Sequence, residues 1–228
     1  MDTTDFYNLA GAAVVFVGSH LTISNSCLRP ALIGWLGERG YRGLFAMIAT
    51  AALAWLVQAY RLSPFVELWD TGPGLHALLF AAMLPVLILA VGALHDGSPT
   101  ANSTIHPPPV QARAGVLAIT RHPLMWSIGL WAALHAIACG DVAAEIFFSA
   151  LAVLALAGTV AIDSRIRRSK PELWAELSAS TSNLPLAALL RGRIRLDLDR
   201  LLFPTAAGLV GWMMLLALHD WLFGVSAF

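Results

Sequence analysis

Residues 75–94 read LHALLFAAMLPVLILAVGAL, twenty positions with one histidine, one proline and no formal charge. A bilayer hydrocarbon core about 30 Å thick is crossed by roughly 20 helical residues, so a run of this length and composition reads as a transmembrane helix. Lipid offers no partner to a backbone N–H or C=O, and only helices or closed barrels can span it. The ten-residue alternation of a barrel strand is absent here, which leaves the helix. The same test picks out five more blocks, at residues 7–26, 42–60, 121–139, 142–162 and 204–224. Composition agrees: 58% of the 228 residues are hydrophobic and only 12% charged, too little charge to cover a soluble surface. The expected fold is therefore all-α, a polytopic integral membrane protein with about six transmembrane helices in a single domain over residues 1–228.

Orientation follows from the cations between the blocks. With the N-terminus outside, thirteen of the fourteen Lys and Arg residues fall on the inner side, among them Arg29, Arg42, Arg121, Arg165, Lys170 and Arg191, and only Arg61 falls outside. A missed or extra span would scramble this split, so it supports the count as well as the direction. Both termini are expected to be periplasmic, in a bacterial inner membrane; the arginine-over-lysine and alanine-leucine bias is the reason for the bacterial reading. The leader MDTTD is acidic where a cleavable signal would be basic, so the first block is read as a retained span.

Two inner connections are long. Residues 95–120, with Pro99 and the run from Pro107 to Pro109, read as an irregular cytoplasmic loop. Residues 163–203 read as a basic cytoplasmic interfacial segment. Within it Ser169 and Glu172 fit a capping box, and Leu173, Trp174 and Leu177 share a face. The basic run RGRIRLDLDR that follows is expected on anionic headgroups. Membrane lipids are thus expected partners, and nucleic acid is not. Cys27 and Cys139 fall at opposite ends of their spans and cannot bridge. Glu145 and Asp163, at the two ends of the fifth block, read as boundary charges.

The histidines carry the chemical signal, because ionisable groups inside a membrane are costly and usually face a cofactor, a partner or a cavity. His20, His95 and His122 fall towards the inner side, and His76, His135 and His219 towards the outer. His106 lies in the loop. Two imidazoles at similar depth on different helices can grip a haem iron from both faces. His20 and His122 are the pair at matching depth, with Arg121 placed for a haem propionate. His135 sits roughly 140° around the helix from His122, so those two do not share one iron. The outer histidines leave a second metal or haem open. The bland alternative, histidines snorkelling to headgroups or bonded to carbonyls, stays beside this reading.

The runs HLTISNSCLRPALIGWLGERGYRGLFAMIA, ITRHPLMWSIGLWAALHAIACGD and RRSKPELWAELSASTSNLPLAALLRGR together resemble the NnrU family of membrane proteins, similar more distantly to the plant 15-cis-zeta-carotene isomerase. The resemblance implies haem b held by histidines that correspond to His20 and His122. It implies redox-dependent chemistry on a polyene double bond or on a diatomic such as nitric oxide, the latter connected with denitrification. The isomerases are thought to exchange a histidine for a cysteine near the Arg-His-Pro element, and no cysteine lies within ten residues of His122 here. On this reading His20→Ala or His122→Ala abolishes haem retention and His106→Ala does not. Two other classes stay open. One is an S-adenosylmethionine-dependent membrane methyltransferase, which shares Arg-His-Pro but would need adjacent acids and a Gly-x-x-Tyr that are missing. The other is a non-catalytic assembly or regulatory protein.

Overall fold

The computed structural model describes residues 4–25, 28–95 and 114–225. Cys27 and residues 96–113 of the 95–120 connection, His106 among them, lie outside the described residues. The order is α1 (Thr4–Asn25), α2 (Leu28–Leu62), α3 (Gly72–His95), α4 (Val116–Ile119), α5 (Pro123–Cys139), α6 (Val142–Ser169), α7 (Pro171–Ser180), α8 (Ala187–Leu190) and α9 (Asp199–Phe223). Among the described residues the only β pairing is an isolated bridge between Glu67 and Asp141.

Five helices, α1, α2, α3, α6 and α9, are long and apolar enough to cross a bilayer, and α5 is a shorter apolar helix. All six expected blocks are helices, so the chain is an all-α polytopic membrane protein. Large side chains such as Leu78, Val153, Val160 and Met214 stand exposed on the outside of the bundle, where lipid rather than water covers them. Lipid tails are as apolar as leucine, so the helices associate by close packing of small residues. The core accordingly pairs Ala12, Ala52, Ala59, Ala132, Ala136 and Ala144 with Phe16, Phe147 and Phe148. Packing runs from α9 to α3, α5, α6, α1 and α2. The α9 contact with α3 is fixed by Trp212, whose indole N–H donates to the Phe80 carbonyl at 3.2 Å.

Three boundaries differ from the sequence reading, each for a local reason. Helix α2 begins fourteen residues before the expected span (42 − 28), and the two parts are separated at Gly37, whose φ of 69° and ψ of 169° leave the helical region. Such a backbone favours glycine, and it turns Leu28–Leu36 away from the span that follows. Helix α6 runs on to Ser169, so Asp163 lies within it rather than at its edge. Ser169 therefore caps nothing: its hydroxyl donates back to the Arg165 carbonyl at 2.9 Å, and Lys170 occupies the N-cap position of α7 without a side-chain bond.

At 17 residues α5 is about 25 Å long, shorter than the hydrocarbon core. The chain before it, α4 and Thr120 to His122, is consequently drawn in among the other helices instead of lying on their surface, and all of it except Ile119 is buried.

Candidate functional site

The buried segment at the start of α5 is extended at Thr120, and Pro123 takes the first helical turn, where its missing N–H costs nothing. Residues 181–186 fold over it. The Arg121 N–H donates to the Ser182 carbonyl at 2.8 Å, the Leu186 N–H to the Ile119 carbonyl at 2.7 Å, and the Thr120 hydroxyl to the Asn183 carbonyl at 2.6 Å. These bonds close a lid of backbone over the Arg-His-Pro element.

Under that lid one carboxylate serves two bases. Arg121 Nε lies 3.0 Å from Asp163 Oδ1 and 3.1 Å from Oδ2, and His122 Nε2 lies 2.8 Å from Oδ1. The rest of the guanidinium reaches the Thr181 carbonyl and hydroxyl at 3.4 Å and stacks over the Trp174 ring at 4.9 Å. Asn183 ties the far side, donating to the Thr159 hydroxyl at 3.0 Å and accepting from the Trp126 indole at 3.2 Å. His122 is completely buried. Buried charge this dense is stable only when each lone pair and proton is matched, and among the described residues no buried side-chain nitrogen or oxygen lacks a partner.

The other sequence-selected histidines have separate surroundings. On α1, His20 Nδ1 is 2.8 Å from the Phe16 carbonyl, and its ring lies edge-on to Phe16 and Phe45, with centroids 4.6 and 5.5 Å away. On α5, His135 Nδ1 is 2.9 Å from the Trp131 carbonyl, between the Trp131 and Phe148 rings. On α9, His219 Nδ1 is 2.8 Å from the Val225 carbonyl. A carbonyl only accepts, so Nδ1 carries the proton in all three and Nε2 keeps the lone pair of the neutral ring. His76 Nδ1 sits 3.4 Å from the Thr71 hydroxyl. No three His, Cys, Asp or Glu side chains among the described residues gather as a metal site, so His76, His135 and His219 do not form one.

The fold thus brings Arg121 and His122 together, around a residue that the sequence reading set aside as a boundary charge. Asp163 and His122 fall at the same end of two successive antiparallel helices, so their matching register was the signal available. Arg121 is engaged by Asp163, Thr181 and Trp174 rather than held out for a propionate.

A family model described as NnrU protein matches residues 8–227. The chain belongs to the NnrU family. The match runs from within α1 past the end of α9 and so takes in nearly the whole chain. No curated protein and no solved structure matches the chain.

Proposed function

We propose that this NnrU-family membrane protein binds haem b through His20 and acts in redox-dependent chemistry on nitric oxide or a polyene, in a bacterial inner membrane with both termini periplasmic. One observation carries the ligand assignment. Nδ1 of His20 is committed to the Phe16 carbonyl at 2.8 Å, which fixes the ring and leaves Nε2 as the nitrogen with the lone pair in that tautomer, the arrangement a metal-binding histidine needs. His20 therefore fits an axial ligand. His122 does not fit one in this arrangement, because its Nε2 faces Asp163 at 2.8 Å and the ring has no exposed surface. It is assigned instead to positioning the start of α5. His135 passes the same fit test as His20 and is the reserve ligand.

Bound haem supplies an iron whose coordination position takes a diatomic or a double bond and responds to reduction. The chain's own part is to orient the His20 ring between Phe16 and Phe45. The thirteen-to-one distribution of cations supports the orientation.

The test is a visible spectrum of the purified protein, expressed with haem precursor and recorded oxidised and reduced. A Soret band that shifts on reduction is expected. His20→Gly should lose most of it and regain it on adding imidazole, whereas His106→Ala keeps it. His122→Gln should keep it too, at reduced thermal stability. Parent protein without a Soret band removes the reading and makes S-adenosylmethionine binding the next assay. Full haem in His20→Gly without imidazole moves the ligand to another residue, with His135 the first to replace.

A further inference from the structure

Helix α2 holds more residues than a span needs. From Glu38 to Leu62 it has 25 (62 − 38 + 1), about 38 Å of helix, which crosses a hydrocarbon core of about 30 Å without help from Leu28–Leu36. That leading segment is set at an angle to the rest. In an unbroken helix residues 29 and 41 stand about 18 Å apart along the axis, too far for their side chains to come together. The Arg29 guanidinium nevertheless lies 5.4 Å from the centre of the Tyr41 ring. The break at Gly37, with φ 69° and ψ 169°, makes the contact possible. Arg29 is also 3.7 Å from the Glu38 carboxylate just past the break. Tyr41 is buried, and its hydroxyl donates to the Ile23 carbonyl of α1 at 3.4 Å, so the bend is fastened to both helices.

The bend leaves one face of the segment outward. Leu28, Ala31 and Trp35, at positions i, i+3 and i+7, are all exposed, Leu28 by 46% and Trp35 by 80%. Arg39 and Arg42 follow within about two turns and are exposed as well, Arg42 in an ion pair with Glu38 at 3.1 Å. Between residues 28 and 42 three arginines stand against one glutamate, so the segment is net positive. An apolar face that ends in a tryptophan and runs into arginines suits a boundary between acyl chains and anionic headgroups.

We propose that Leu28–Leu36 is a foot that lies in the headgroup layer of the bilayer, with Leu28, Ala31 and Trp35 turned to the acyl boundary and Arg39 and Arg42 on the phosphates of anionic lipids. Lipid is the occupant because the segment joins two helices whose own outer surfaces, at Val14, Val15 and Met47, are exposed and lipid-covered. An indole, apolar in body and polar at its N–H, concentrates at this level of a membrane. The foot then sets the depth of α1 and α2, with Arg29 on Tyr41 as the joint that transmits it. This surface does not depend on what His20 binds.

The experiment uses the full chain in vesicles of dioleoyl phosphatidylcholine, alone or mixed equally with dioleoyl phosphatidylglycerol. The chain has eight tryptophans, so the emission lost in Trp35→Phe isolates that of Trp35. Trp212, midway along α9, gives the reference for a ring inside a span through Trp212→Phe. Three quenchers are compared: lipid with a nitroxide on the headgroup, lipid brominated deep in the acyl chain, and acrylamide in the water. The headgroup nitroxide should quench Trp35 roughly twofold or more better than the deep bromine, as for an apolar face about 5–10 Å into the headgroup boundary, and Trp212 should show the reverse order. Leaving out phosphatidylglycerol should raise acrylamide access to Trp35 by roughly twofold to fivefold, up to the worth of one arginine at an anionic surface, and Arg39→Gln should remove most of that difference. Acrylamide quenching equal to that of free tryptophan in both vesicles places the segment in water and overturns the proposal. A preference for the deep bromine overturns it by making the segment part of the span, and protection from all three quenchers overturns it in favour of a second copy of the chain on this face. Equal acrylamide access in the two vesicles overturns the part given to Arg39 and Arg42.

Discussion

Asp163→Ala is expected to cost about 3–5 kcal/mol, because it strips two buried bases of their shared acceptor while leaving both in place. Arg121 and Asp163 have side-chain exposures of only 11% and 13%, and His122 has none, so water cannot step in for the lost carboxylate. Discounting for screening, which halves or abolishes the value of surface pairs, does not apply at this depth. In thermal unfolding in detergent, the midpoint should fall by on the order of 10 °C. Asp163→Asn keeps an acceptor oxygen and loses the charge, and should fall between parent and alanine variant. The double variant Arg121→Met/Asp163→Leu removes charge and countercharge together and should recover part of the loss, what remains being the lost bond from His122 to Asp163. A penalty for Asp163→Ala under about 1 kcal/mol would mean that the network behaves like an exposed ion pair.

That network also marks where reading the chain residue by residue stopped being enough. The apolar helices were legible because a membrane tests each segment separately: length and lack of charge are local properties, and residues 75–94 satisfy them without reference to any neighbour. Asp163 is different. Its meaning depends on the loop of residues 181–186 folding back to seal it, through backbone bonds such as Leu186 to Ile119 that leave no trace in side-chain pattern. The capping-box reading of Ser169 failed for a related reason, since continuation of α6 by seven residues past Ile162 consumed the residue meant to start the next helix. His20 stood out as a histidine well inside the first block, but the carbonyl that sets its tautomer is four residues back on its own helix, a contact that any histidine in a helix has within reach. Sequence position alone could not separate it from His122, and the contrast between a backbone acceptor and a carboxylate did.

At the opposite end of the bundle a single backbone conformation joins four helices, and Gly140→Ala should be the second most damaging change. Gly140 ends α5 at φ 62° and ψ 23°, where an alanine costs about 1–2 kcal/mol from its Cβ alone. The added Cβ would also stand 2.2 Å from the Trp69 carbonyl oxygen, a backbone atom that cannot swing aside. Moving it means moving the α2 to α3 connection, which is bound there by Leu68 and Trp69 N–H groups donating to the Gly140 carbonyl at 2.7 and 3.2 Å. The Trp69 indole donates to the Ile137 carbonyl at 2.9 Å, and the Val142 N–H to the Val66 carbonyl at 3.0 Å. Losing two of these bonds adds about 1–3 kcal/mol, for a total of about 2–5 kcal/mol. Gly192→Ala is the matched comparison: its φ is also positive, at 65°, but nothing lies within 4 Å of the added Cβ. It should show the conformational cost alone. If the two variants unfold at the same temperature in detergent, the contact between Gly140 and Trp69 contributes nothing beyond backbone strain. A clear excess loss in Gly140→Ala means instead that the α5 to α6 turn holds the α2 to α3 connection, and with it the register of the helices that carry the buried site at the other end.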